Sequence, residues 1–103
     1  MAGQVYQSFG VGSPAERDFG FRDQIQRAAV SVMNNIAEGF ERKSKKEFAH
    51  MLQIAKGSCG EVRSMFYLAE DLSYLAPESA FQFRNDALHL SRGIEALSKS
   101  LRN

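Results

Sequence analysis

Asn34-Asn35-Ile36-Ala37-Glu38-Gly39-Phe40-Glu41-Arg42-Lys43-Ser44-Lys45-Lys46-Glu47 is the stretch whose reading decides the fold. It ends one helix, crosses a charged turn and starts another. Gly39 suits the position just past a helix end, where a left-handed backbone costs glycine nothing. Ser44 and Glu47 make the S-x-x-E pattern of a capping box. In it the serine hydroxyl accepts from the Glu47 N–H and the Glu47 carboxylate returns to the Ser44 N–H. Such a cap contributes about 1 kcal/mol. Phe48 opens an apolar run at once, so two neighbouring helices joined by about four or five residues are expected.

Upstream, Phe21, Ile25, Ala28, Ala29, Val32, Met33 and Ile36 recur at spacings of three and four, predicting a helix over 18–39. Downstream, Phe48, Leu52, Ala55, Cys59, Val62, Phe66 and Ala69 form a heptad seam, predicting a helix over 45–75, about 45 Å long. A second lane of Met51, Ile54, Met65, Leu68, Leu72 and Leu75 lies beside that seam. The combined stripe is wider than one neighbouring helix covers. Gly57, Ser58 and Gly60 fall mid-helix, where each glycine costs about 1 kcal/mol relative to alanine. Close approach of another helix or another subunit is the expected compensation.

Pro77 stops that helix and suits the first turn of the next. Ala80, Phe83, Ala87, Leu90, Ile94, Leu97 and Leu101 then predict a helix over 78–102. Residues 1–17 read as an N-terminal arm or helix remnant around Val5, Tyr6 and Phe9, with a turn over Gly10 to Pro14. No alternating strand pattern occurs. The expected fold is all-α, an antiparallel up-and-down helical bundle in a single domain over 1–103.

Composition narrows the function. At 103 residues, with 44% hydrophobic and 24% charged residues, the chain has the balance of one soluble globular domain. A net charge of +1 gives no global field that demands a polyanionic partner. Cys59 is the single cysteine, so no internal disulfide forms and a reducing, cytoplasmic setting is expected. No signal peptide and no membrane span are legible.

The charged turn is the one local concentration. Arg42, Lys43, Lys45 and Lys46 against Glu41 and Glu47 leave segment 41–47 at +2. Such a patch contacts phosphates without reading sequence; its bland counterpart is a solvated turn. Glu38, Arg42 and Glu61 are expected to join Gly39, Ser44 and Glu47 in a polar network that fixes the turn or a subunit contact, rather than in acid catalysis. His50 and His89 lie on different predicted helices without metal-ligand spacing, and Cys59 sits on the core seam. Gly57-Ser58-Cys59-Gly60 lacks the spacing of a phosphate loop. No catalytic set, metal site or cofactor is expected, and the chain reads as non-enzymatic.

Gln24-Ile25-Gln26-Arg27-Ala28-Ala29-Val30-Ser31-Val32, then Asn35-Ile36-Ala37-Glu38-Gly39, Arg42, Ser44, Lys46-Glu47-Phe48, Ile54-Ala55-Lys56-Gly57-Ser58 and Glu61 form an ordered series of motifs. Together they resemble the bacterial four-helix-bundle proteins named for open reading frames in 23S rRNA intervening sequences, over 18–75. The resemblance implies a four-helix bundle assembled as a ring-like homopentamer, and it brings no catalytic role. A related group, the accessory variability proteins of diversity-generating retroelements, is similar in fold and implies binding of nucleic acid and of a reverse transcriptase. The chain departs from the family at its start, where only Met1 to Phe9 stands for the first helix. The expected function is an oligomeric module binding RNA or DNA through the basic turn. The alternative is a protein-binding scaffold without nucleic-acid contact.

Overall fold

The computed structural model describes residues 1–102 and contains four helices, with no strand among those residues. These are α1 (Ala2–Phe9), α2 (Phe19–Glu41), α3 (Lys45–Asp71) and α4 (Pro77–Arg102). The molecule measures 44 × 22 × 16 Å, the long dimension set by the three long helices. Helix α3 is central and packs on both α2 and α4. Its hydrogen bonds to α4 pair Gln53 with Ser98, Cys59 with Ala87, and Glu70 with Arg84.

The α3 seam is the spine of the core. Leu52, Ala55, Cys59 and Val62 are fully enclosed, as are Phe66 and Ala69 to within 2%. Fully burying such a side chain contributes about 1.5–3 kcal/mol for a Val, Leu or Phe. Helix α2 adds Phe21, Ile25, Ala28, Ala29 and Val32. The short α1 contributes Val5 and Phe9, both fully buried. Phe9 meets Phe21 edge-on at 5.1 Å and lies over Phe66 at 6.5 Å, so eight residues suffice to plug one end of the α2–α3 seam. Gly12, at φ +85°, turns the chain after α1.

Asp18 ties this end together. Its Oδ1 accepts from the Phe21 N–H at 3.1 Å as the α2 N-cap, and its Oδ2 accepts from the Tyr74 hydroxyl at 2.6 Å. Tyr74 follows the end of α3, which closes in a Schellman motif. The Tyr74 N–H donates to Ala69 O at 2.7 Å and the Ser73 N–H to Glu70 O at 3.0 Å. Ser73 takes the left-handed position at φ 60°, a place glycine usually fills. Helix α3 therefore stops at Asp71, before the expected 75.

Four other expectations change. Gly39 is not past the end of α2 but inside it; the helix runs on to Glu41 and Arg42 caps it in an extended conformation. Gly39 is buried because it faces Phe48: a methyl group placed there would lie 2.6 Å from Phe48 Cδ1 and 3.4 Å from Met51 Cβ. The link to α3 shortens to Arg42, Lys43 and Ser44. On α4 the enclosed position is Ser98, not Leu97, which is 38% exposed. Met33 on α2 is exposed rather than core.

The second lane of α3 is mostly uncovered. Met65 is buried, but Ile54, Leu68 and Leu72 are 41%, 44% and 46% exposed. Gly57 and Gly60 meet no atom within 4 Å of an added Cβ, so no helix of this chain approaches them closely. Ser58 does reach α2, sharing a 2.8 Å hydrogen bond with Ser31, whose Oγ and carbonyl also accept from Asn35. A second apolar surface is built mainly on α2. Met33, Ile36, Ala37 and Phe40 of α2, with Leu90 and Met1, line a groove of about 440 Å³.

Candidate nucleic-acid interface

The turn between α2 and α3 is rigidly framed. Ser44 Oγ accepts from the Glu47 N–H at 3.0 Å, which caps α3. The reciprocal bond from the Glu47 side chain is not formed among the described residues. The Arg42 N–H donates to Gly39 O at 3.1 Å, closing α2. Behind the turn Phe40 and Phe48 pack at 4.8 Å between ring centres. Three residues thus link two long helices with both ends capped, and little freedom remains in where the cations stand.

Arg42, Lys43, Lys45 and Lys46 are all exposed at this corner. Arg42 reaches Glu38 at 3.9 Å, an exposed i,i+4 pair of small energetic weight. Glu61 does not belong to this network. It lies fourteen residues beyond Glu47 on α3, about 21 Å along the axis at 1.5 Å per residue, and is exposed. It stands instead between Gly57 and Leu68 on the uncovered face of α3.

Two grooves flank the turn. One, of about 560 Å³, is lined by Arg42, Ser44, Lys46, Glu47, His50 and Met51. The other, of about 440 Å³, lies between the start of α3 and the end of α4. Lys46 and His50 line both. Lys43 and Lys45 line neither.

At the far edge of the second groove Glu95 organises α4 against α3. It accepts from Gln53 at 3.2 Å, Lys56 at 3.2 Å and Arg102 at 3.3 Å. The Gln53 hydrogen bond, then that from Lys56, hold its carboxyl below the usual carboxylate range. Gln53 also donates to Ser98 Oγ at 2.9 Å.

Cys59 donates its thiol to Ala87 O at 3.2 Å, and burial pushes that thiol up, which keeps it protonated and unreactive. Among the described residues no three His, Cys, Asp or Glu side chains gather at metal-binding distance. No helix among them is long and apolar enough to cross a membrane. The Tyr74 hydroxyl is committed to Asp18. Tyr67 lies under the Arg84 guanidinium at 4.1 Å.

These features define a small all-α protein whose distinctive surface is a capped, cation-bearing interhelical turn. A family profile described as 23S rRNA-intervening sequence protein matches residues 1–96. The chain belongs to that family. The match begins at α1 and runs through most of α4, beyond the 18–75 that the motifs mark. No curated protein matches the chain.

Proposed function

We propose that the chain is a non-enzymatic oligomeric module that binds RNA or DNA through the backbone phosphates, using Arg42, Lys43, Lys45 and Lys46. The observation that carries this reading is the exposure of four cations, Arg42 and Lys43 on a three-residue link and Lys45 and Lys46 in the first turn of α3, with caps at both ends of the link. Phosphate contacts of this kind position a strand without reading its bases, and their affinity falls steeply with salt.

Assembly is the second part of the proposal. The protomers form an antiparallel bundle that joins into a ring, with the homopentamer of the family resemblance as its expected size. Support comes from the two unlike apolar surfaces. The α3 face of Ile54, Leu68 and Leu72 and the α2 groove at Met33 and Phe40 share no residue. An interface between unlike surfaces is heterologous and closes as a ring when its rotation permits. A ring repeats the basic turn around its rim, so its field exceeds that of one protomer. The cytoplasm, where nucleic acid and reduced Cys59 coexist, is the proposed compartment.

Replacing Arg42, Lys45 and Lys46 together by glutamine tests the interface. Affinity should fall alike for all sequences, read by fluorescence anisotropy of labelled oligonucleotides. Unchanged binding refutes the assignment. The apolar surfaces also favour a scaffold that holds another protein; partner capture that survives nuclease treatment, with no oligonucleotide binding, would select it.

A further inference from the structure

The groove between the start of α3 and the end of α4 holds chemistry that the turn alone does not. Its rim carries Lys46, His50 and Arg102, and its floor carries Ala49 and Leu101. Ser98 is the one fully enclosed polar side chain among the described residues, and it lines this groove. Its position on α4 is a core position, four residues after Ile94 and three before Leu101. A hydroxyl there needs hydrogen-bond partners to offset its burial. Gln53 supplies one by donating to Ser98 Oγ.

We propose that this groove is a phosphate-binding site and that its ligand is a phosphate of single-stranded nucleic acid. The proposal rests on the reading of the basic turn as a nucleic-acid interface and extends it onto α4. Lys46 supplies a flexible point charge and Arg102 a planar fork suited to two phosphate oxygens. His50 adds an N–H, while Ser98, enclosed beneath the groove, holds Gln53 in place. Glu95 stands behind Arg102 and confines it to the groove edge. That contact is 3.3 Å long with the Arg102 side chain half exposed, so the guanidinium is free to exchange its carboxylate for a phosphate. The apolar floor accommodates a sugar. Arg42, Lys46 and His50 line the neighbouring groove together, so a strand leaving over His50 and Lys46 arrives at Arg42.

The test is the salt dependence of anisotropy for a labelled single-stranded oligonucleotide, on the full chain and on Arg102→Gln, His50→Gln and Lys99→Gln. Lys99 is in the same last turn of α4 but does not line the groove. For single strands each phosphate contact contributes about 0.7 to the slope of log K against log salt. Arg102→Gln should flatten the slope by about 0.7 and weaken binding about fivefold at 0.1 M salt. His50→Gln should weaken binding with little change in slope, and Lys99→Gln should leave both unchanged. Inorganic phosphate, compared with chloride at matched ionic strength, separates the two sources of a phosphate group. Excess displacement means the groove also takes free phosphate; equal displacement means it takes strand phosphates only. The proposal is overturned if Arg102→Gln behaves like Lys99→Gln. If the triple turn variant nevertheless loses binding, the turn reading stands without the groove. No binding by the unmodified chain at low salt removes both.

Discussion

Substituting alanine at Gly39 sets two well-defined effects against each other. In a helix interior, Gly→Ala gains about 1 kcal/mol from propensity. At Gly39 the new methyl would lie 2.6 Å from Phe48 Cδ1 and 3.0 Å from Cε1. Carbon atoms rest at about 3.5–4.0 Å, so the ring must retreat by about 1 Å. Phe40 stands against that ring at 4.8 Å, and Phe48 opens the capped first turns of α3, so retreat disturbs both. Overpacking of this kind costs about 1–3 kcal/mol. The net is a loss of about 1 kcal/mol, or roughly 4–8 °C in Tm for a domain near this size. Gly93→Ala supplies the reference: it is exposed on α4, its added Cβ meets nothing within 4 Å, and it should gain about 1 kcal/mol. Thermal unfolding followed by circular dichroism should place the two variants on opposite sides of the parent. A Gly39→Ala protein as stabilised as Gly93→Ala would refute the close α2–α3 approach at this residue.

Ser73→Gly should raise stability by about 1 kcal/mol, since it removes a side chain from a left-handed position; urea unfolding reads it directly. Gly57→Lys should leave a lone protomer folded, because the site is open, yet lower the native mass of the assembly if the α3 face joins subunits; light scattering or native mass spectrometry decides. The Tyr74 hydroxyl and then the Phe21 N–H hold the Asp18 carboxyl below its usual range. Its contribution to stability is therefore present above the unfolded carboxylate pKa and is lost as pH falls through the lower folded value. Between pH 7 and pH 3 the urea midpoint of the parent should fall further than that of Asp18→Asn. Parallel falls would mean the Asp18–Tyr74 contact is not populated in solution.

Much of the architecture was readable because it depends on local period. The heptad spacing of Phe48, Leu52, Ala55, Cys59, Val62, Phe66 and Ala69 marks residues that are all enclosed except Phe48, which is half-buried. The Ser44 cap was equally legible, since the donor it satisfies is three residues away. Failures came where a distant partner decides. A glycine before a charged run signals a helix end, but Gly39 answers to Phe48 across the interface. Ser73 hides a helix stop because the residue in the left-handed position is not glycine. Hydropathy chose Leu97 over Ser98, although the spacing of Ile94, Ser98 and Leu101 marks Ser98 as the inward position. The basic turn was legible as composition. The groove beside it was not, because Arg102 and Ser98 join Lys46 and His50 only through the pairing of α3 with α4.

The central claim is that repeated basic turns on an oligomer track phosphates. The most direct measurement is the salt dependence of single-stranded RNA binding by the unmodified chain, on a sample whose native mass is determined alongside. Four cations of one turn account for a slope of at most about −2.8, at about −0.7 per single-strand contact. A ring engaging more than one turn predicts a steeper slope on an oligomeric sample. An intact oligomer that binds no RNA even at low salt would contradict the account.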